Sequence, residues 1–149
     1  MAFGNPYGDA WSIDEVVDAC DLLADSGVTL ISLADTVGAA TPKLVGDLVS
    51  DVMAVHDALE IGVHLHARPD AADALIRAAY NAGCRRFDSA IGGLGGCPFA
   101  QDTLVGNIPT ELLLATLQSL GAELPELQPL ESLIKTSADI ARRYGLKVQ

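Results

Sequence analysis

Basic residues are scarce. Nine Lys and Arg stand against twenty Asp and Glu, a formal net charge of −11. Nucleic acid and anionic membrane surfaces reward basic patches, so neither is an expected partner. Long apolar runs are missing too: none approaches the ~18 residues of a membrane-spanning helix. The opening "MAFGNPYGDAW" has neither the basic start nor the long apolar stretch of a secretory signal. Cys20, Cys84 and Cys97 form an odd set without paired spacing. That argues against a disulfide framework and makes a reducing cytoplasm the expected compartment. Hydrophobic residues, by contrast, make up half of the chain, so disorder is not expected. At 149 residues, a single domain with a sizeable core is the expected organisation.

Short apolar runs alternate with amphipathic helical patterns. Met1 to Phe3 reads as a short first strand. "SIDE", Ser12 to Glu15, is a capping box, and Val16, Val17, Ala19, Cys20 and Leu23 form the apolar stripe of the helix it opens. Gly27 stands where that helix ends in the left-handed conformation. "VTLISLAD" follows as a buried strand, and Thr41–Pro42 opens the next helix. "IGVHLH" is the third strand, Pro69 opens a helix that Gly83 closes, and "CRRFDSAI" is the fourth strand. Pro109–Thr110 precedes another helix, "ELLLATLQSL". A proline-bearing linker then leads to a last helix at about Pro129 to Tyr144. The helix–Gly–strand joint recurs in "ADSGVTLISL" and "YNAGCRRFDS". This spacing predicts α/β architecture with about four βα units and a parallel sheet. Four units are half of a (β/α)8 barrel, or a small open sheet with helices on both faces. Residues 1–149 form one domain in this reading, with the βα units over about 1–121 and the linker and last helix over 122–149.

In such folds, chemistry gathers at the C-terminal ends of the strands. His64 and His66 end the third strand. Strand alternation puts both on one face, ~7 Å apart along the chain, a spacing at which two imidazoles can chelate one ion. The alternative is a pair of hydrogen-bonded core histidines. Asp35 ends the second strand, as a site residue or as a cap on the coming helix. The fourth strand runs into "GGLGGCPFAQDTLVGN", Gly92 to Asn107. Its glycines allow close approach of backbone and ligand. Cys97 at its end is a thiol fit for acid, base or nucleophile work, or a small apolar residue that packs the loop. The loop is no Walker motif, because no Gly-Lys-Ser/Thr follows, and it lacks the dinucleotide G-x-G-x-x-G fingerprint.

"SLADT", "HLH", "FDSAIGGLGGCPFA" and "GNIPTE" occur in this order. Together they resemble the C-terminal half of the 3-hydroxy-3-methylglutaryl-CoA lyase family, metal-dependent lyases and condensing enzymes built on a TIM barrel. The resemblance runs from "GNPYG" to about Gly121, and "GGLGGCP" is its most specific element. It implies that His64, His66 and Asn107 bind a divalent ion, Mg2+ or Mn2+. It implies that Cys97 transfers a proton near the substrate and that Asp35 is the acidic residue by the substrate hydroxyl. Gly93, Gly95, Gly96 and Arg68 would line the acyl-CoA, with Arg85 and Arg86 as further candidates for its phosphates. The implied reaction is retro-Claisen cleavage of 3-hydroxy-3-methylglutaryl-CoA to acetoacetate and acetyl-CoA.

Two departures qualify the resemblance. The family's Asp and Arg on the first barrel strand have no counterpart here, so weak metal binding and little turnover are expected of the chain alone. Ala67 stands after the second histidine where the family commonly has Asp, removing a second-shell acceptor. Two other readings stay open: a related aldolase or condensing enzyme acting on another hydroxy- or oxo-acid, and a catalytically silent half-barrel interaction module. A half-barrel exposes two sheet edges and, on this reading, an apolar inner face. Pairing with an N-terminal half-barrel or with a second copy, as a homo-oligomer, is therefore expected.

Overall fold

The computed structural model describes residues 1–96 and 105–144. Helix α1 (Ile13–Asp25) starts at Ser12, whose Oγ accepts from the Glu15 N–H at 3.2 Å and donates to the Glu15 carboxylate at 3.3 Å. Gly27, at φ +88°, turns the chain into β1 (Leu30–Ala34). Thr41 Oγ1 caps α2 (Pro42–Val55) by accepting from the Leu44 N–H. Strand β2 (Glu60–His64) and the two-residue β3 (His66–Ala67) follow, then α3 (Pro69–Asn81) and β4 (Arg86–Asp88). A single 3-10 turn, Ile91–Gly93, leads off β4. After the undescribed stretch come β5 (Gly106–Asn107), α4 (Thr110–Ser119) and α5 (Glu131–Tyr144).

Strands β1, β2 and β4 lie side by side in chain order and run parallel. Their odd-numbered residues Ile31, Leu33, Ile61 and Val63 are buried against the helices, among Val45, Leu48, Val49, Leu75 and Ile76. The other face carries Ser32, Glu60, Gly62, His64, Arg86 and Asp88, none of them buried apart from Gly62. Among the described residues, helices therefore cover one face only. That decides between the two architectures left open by the sequence: the sheet is an arc of a barrel, not a doubly wound sheet.

Four expectations change. Met1–Phe3 forms no named strand, although the Ala2 N–H donates to the Ala34 carbonyl at 2.9 Å beside β1. "IGVHLH" is two strands, because the chain leaves the parallel sheet after His64 and β3 pairs antiparallel with β5. The fourth strand is only three residues long, continued by an isolated bridge between Ala90 and Pro109. The inner face of the arc is polar rather than apolar. On it Arg86 lies over Gly62, where a Cβ would come within 2.8 Å of the guanidinium carbon, and its Nε is 3.3 Å from Glu60 Oε1.

One polar cluster ties α3 to α4. Asp73 accepts from Arg77 Nε and from the buried Thr116 hydroxyl, both at 2.7 Å, and Arg77 Nη2 donates to Ser119 Oγ at 3.0 Å. These hydrogen bonds, Arg77 first, pull the Asp73 carboxyl below its ordinary value of 3.8. A depressed folded-state value means that the unfolded chain binds the proton first as pH falls. The stability from this cluster is thus present above the ordinary carboxylate range and lost as pH falls through the lowered value. Urea titrations between pH 6 and pH 2.5 should show a shallower acid loss for Asp73→Asn than for the parent chain.

Candidate functional site

The break at Leu65 creates the site. Residues His64 and His66 stay on one side of the chain, and their rings meet edge to face with centroids 4.9 Å apart. The alternation expected of a strand therefore survives the change of partner strand. His66 is buried and directly opposite Asn107 in the antiparallel β3–β5 pair. Residues facing each other in such a pair share a face and lie within side-chain reach. Two imidazoles and a carboxamide thus converge where β2, β3 and β5 meet.

Two of these groups are held by backbone carbonyls, and the third stands near a carboxylate. His66 Nδ1 lies 2.7 Å from the Asp35 carbonyl oxygen. A carbonyl only accepts, so Nδ1 carries the proton and Nε2 keeps its lone pair. Asn107 Nδ2 donates to the Leu94 carbonyl at 2.9 Å, leaving Oδ1 as the electron donor of the amide. His64 Nδ1 is 3.7 Å from Asp88 Oδ2, and that same oxygen accepts from Ser32 Oγ at 2.7 Å. Sequence reading missed Asp88. It lies inside the run "CRRFDSAI", and only the early end of β4 brings it to the rim.

Asp35 is 1 % exposed, and its carboxylate is turned away from solvent into its own loop. Oδ1 accepts from the Ala39 N–H at 2.9 Å and Oδ2 from the Ala40 N–H at 3.0 Å. Burial pushes its carboxyl above 3.8, and the Ala40 and Ala39 N–H groups oppose that rise. The carboxylate holds the 35–40 loop, while the carbonyl of the same residue holds His66. Asp35 thus holds the loop ahead of α2 and does not cap that helix, which Thr41 caps.

The glycines pack against protein. Gly93 is buried within the 3-10 turn. Gly95, at φ +89°, lies so close to Asn107 that a Cβ would sit 3.2 Å from Nδ2. At Gly96 a Cβ would sit 3.1 Å from the Val105 carbonyl oxygen. The close approach that these two residues permit is therefore to the returning segment Val105–Asn107. Gly95→Ala should cost about 1–2 kcal/mol of stability from the left-handed φ. It should also broaden or shift the Asn107 side-chain amide signals in a 15N correlation spectrum.

Of the arginines, Arg68 stands on the rim as the N-cap residue of α3, its Nε 3.6 Å from Asp70. Arg85 and Arg86 both make contacts within the chain. Arg85 lies on the Tyr80 ring and donates to the Tyr80 and Cys84 carbonyls, and Arg86 is spent on the inner face of the sheet. Cys20 and Cys84 are buried, with thiols pushed up chiefly by that burial, as packing residues would be. Cys97 lies outside the described residues. No group of three His, Cys, Asp or Glu able to hold an ion exists among the described residues. An ion here would need a charged ligand beyond the two histidines and Asn107.

Comparison with known proteins follows this geometry. The family model described as HMGL-like matches residues 1–140. The hydroxymethylglutaryl-CoA lyase of Bacillus subtilis is 32% identical over 143 residues, which is 96% of this chain and 47% of that protein. The (R)-citramalyl-CoA lyase of Chloroflexus aurantiacus is 37% identical over 144 residues, 97% of this chain and 44% of that protein. Among solved structures, the HMG-CoA lyase from Acinetobacter baumannii in complex with coenzyme A and 3-methylmalate superposes with a TM-score of 0.80 at 35% identity, over 99% of this chain and 47% of that one. The HMG-CoA lyase of Bacillus subtilis superposes with a TM-score of 0.83 at 31% identity, over 99% and 48%. The chain thus spans about half the length of the relatives it matches, and its arc of strands corresponds to half of a TIM barrel.

Proposed function

The chain belongs to the HMGL-like family, and we propose that it supplies the histidine–asparagine half of a divalent-metal centre that cleaves a carbon–carbon bond in a 3-hydroxyacyl-CoA. The observation that carries this reading is the convergence of His64, His66 and Asn107, with His66 Nδ1 and Asn107 Nδ2 both committed to backbone carbonyls. What remains is a lone pair on His66 Nε2 and the amide Oδ1. Neutral nitrogen and oxygen donors of this kind fit Mn2+, and fit Mg2+ once a carboxylate joins them. His64, His66 and Asn107 would hold the ion; a carboxylate from a complementary half-barrel would complete it.

When bound, the ion would stabilise negative charge on the substrate's alcohol oxygen as a Lewis acid. The Asp35 carbonyl fixes the ring orientation and tautomer of His66, the second-shell role that keeps a metal-binding imidazole in place. Arg68, at the rim, would be the residue to meet coenzyme A phosphates. Cleavage leaves an electron pair on the carbon that departs as acetyl-CoA. The alcohol becomes a ketone as its O–H proton passes to water, the Cys97 thiol would give its proton to the departing carbon, and the thiolate would regain a proton from water.

Two substrates fit the family, 3-hydroxy-3-methylglutaryl-CoA and citramalyl-CoA. Both are acyl-CoA thioesters with a tertiary alcohol on carbon 3. Identity to the relatives of either kind does not choose between them. Ala67, buried beside Gly106, bears on the same choice, because it takes the place of a polar neighbour to His66. The buried free thiols of Cys20 and Cys84 suit a reducing compartment.

A complementary N-terminal half-barrel is the partner that this reading requires. Two copies of the chain would bring their two charges of −11 together, which disfavours self-pairing at low salt. The test mixes the chain with an N-terminal half-barrel made from a full-length relative and follows acetyl-CoA release from each substrate with Mn2+. Release by the mixture, absent from either half and lost with His64→Ala, is the expected result. No release from either substrate by a stable one-to-one complex would overturn the reading.

A further inference from the structure

The 3-10 turn Ile91–Gly93 is held from two sides. On one side Glu111, in the first turn of α4, accepts the buried Gly92 N–H at 3.1 Å. On the other, Ser137 Oγ of α5 donates to the Ile91 carbonyl at 2.9 Å. Ser137 is 7 % exposed, one of two buried residues on a helix that is otherwise largely solvent-facing. A buried hydroxyl on an exposed helix needs a partner, and the partner here is this turn. The turn in turn needs outside support. Gly92 and Gly93 both sit at positive φ, +65° and +62°, and two consecutive glycines resist ordering more than any other pair of residues.

The turn leads directly to the metal-binding amide. Two residues beyond it, Leu94 and Gly95 supply the carbonyls that take Asn107 Nδ2–H and Asn107 N–H. We propose that Ser137 and Glu111 are positioning residues for Asn107: α5 and α4 clamp the Ile91–Gly93 turn, and the clamped turn fixes the amide of Asn107 beside the two histidines. The proposal deepens the metal-centre reading and rests on it for its function, while the clamp itself is a property of this chain alone. It also gives the C-terminal helix, which lies beyond the βα units, a task at the site.

Amide hydrogen exchange and 15N correlation spectra of the full chain test the clamp without any metal. Ser137→Ala and Glu111→Ala should each speed exchange at Gly92 to Leu94 and at the Asn107 backbone N–H by about five- to tenfold, the weight of one buried hydrogen bond. The Asn107 side-chain amide signals should move as well, with Val63 and Leu75 in the core unaffected. Ser137→Thr and Glu111→Gln, which keep a donor and an acceptor, should restore most of the protection. Exchange that is unchanged at Asn107 in both alanine variants, or that quickens equally across the core, would overturn the clamp.

A Mn2+ titration then reads the link to the ion. Both alanine variants should bind Mn2+ several-fold more weakly than the parent, and the loss should vanish in an Asn107→Ala background. Equal losses with and without Asn107 would overturn the positioning role. If the parent chain assembled with the complementary N-terminal half binds no Mn2+ at millimolar concentration, the metal-centre reading fails, and the exchange arm still decides the clamp.

Discussion

Replacing His66 by alanine should remove Mn2+ binding by about a hundredfold or more, and lower the lyase rate of the assembled protein by about a thousandfold. It should also destabilise the chain, which His64→Ala should not. The difference comes from their surroundings. His66 is 6 % exposed and its Nδ1–H holds the Asp35 carbonyl, so its loss leaves a cavity and a carbonyl without its donor. Those two effects together cost about 2–4 kcal/mol. The side chain of His64 is 36% exposed, and its Nδ1 approaches Asp88 only to 3.7 Å. Its removal should weaken the ion and spare the fold. Calorimetric Mn2+ titration and urea unfolding of the two variants, side by side, separate ligand from ligand-plus-core.

The second large effect is expected at Asp35. Asp35→Ala takes the acceptor from the Ala39 and Ala40 N–H groups and releases the loop that sets the Asp35 carbonyl. A loss of about 1–3 kcal/mol should follow, at the lower end because Ala39 is open to water. The loop is also packed against the segment that carries Asn107. At Gly38, φ +70°, a Cβ would come within 2.5 Å of Val105 Cγ1. Freeing the loop should therefore disturb both sides of the site, with Mn2+ affinity falling even though Asp35 offers no side-chain oxygen to the ion. Asp35→Asn keeps one acceptor and should lie between the parent and the alanine variant in urea unfolding. A chain in which Asp35→Ala leaves both stability and Mn2+ affinity unchanged would show that the loop is held by other contacts.

The elements that the sequence revealed were those with local causes. Ser12 and Thr41 cap their helices because each can reach an N–H three residues on, and Gly27 and Gly83 take the positive φ that their joints demand. The buried face of each strand followed from alternation, which is why His64 and His66 were expected on one side. What was not legible came from pairing between distant segments. Nothing local tells the chain to leave the parallel sheet at Leu65. That break depends on Gly106–Asn107 arriving from forty residues away to pair with His66–Ala67. The polar inner face was hidden for a similar reason. Arg86, Glu60 and Asp88 are unremarkable apart, and only register brings them together over Gly62. The carboxylate of Asp35 was placed on the right rim, but its turn into the 35–40 loop depends on backbone N–H groups that no motif announces.

The central claim is that His64 and His66 bind the same ion. Electron spin echo modulation of Mn2+ bound to the full chain assembled with the complementary N-terminal half tests it, because coordinated imidazole nitrogens imprint their own frequencies on the echo. The account predicts modulation from two imidazoles in the parent, from one in either single alanine variant, and from none in the double variant. Modulation from free solvated Mn2+ alone, or a parent signal that survives both substitutions, would contradict it.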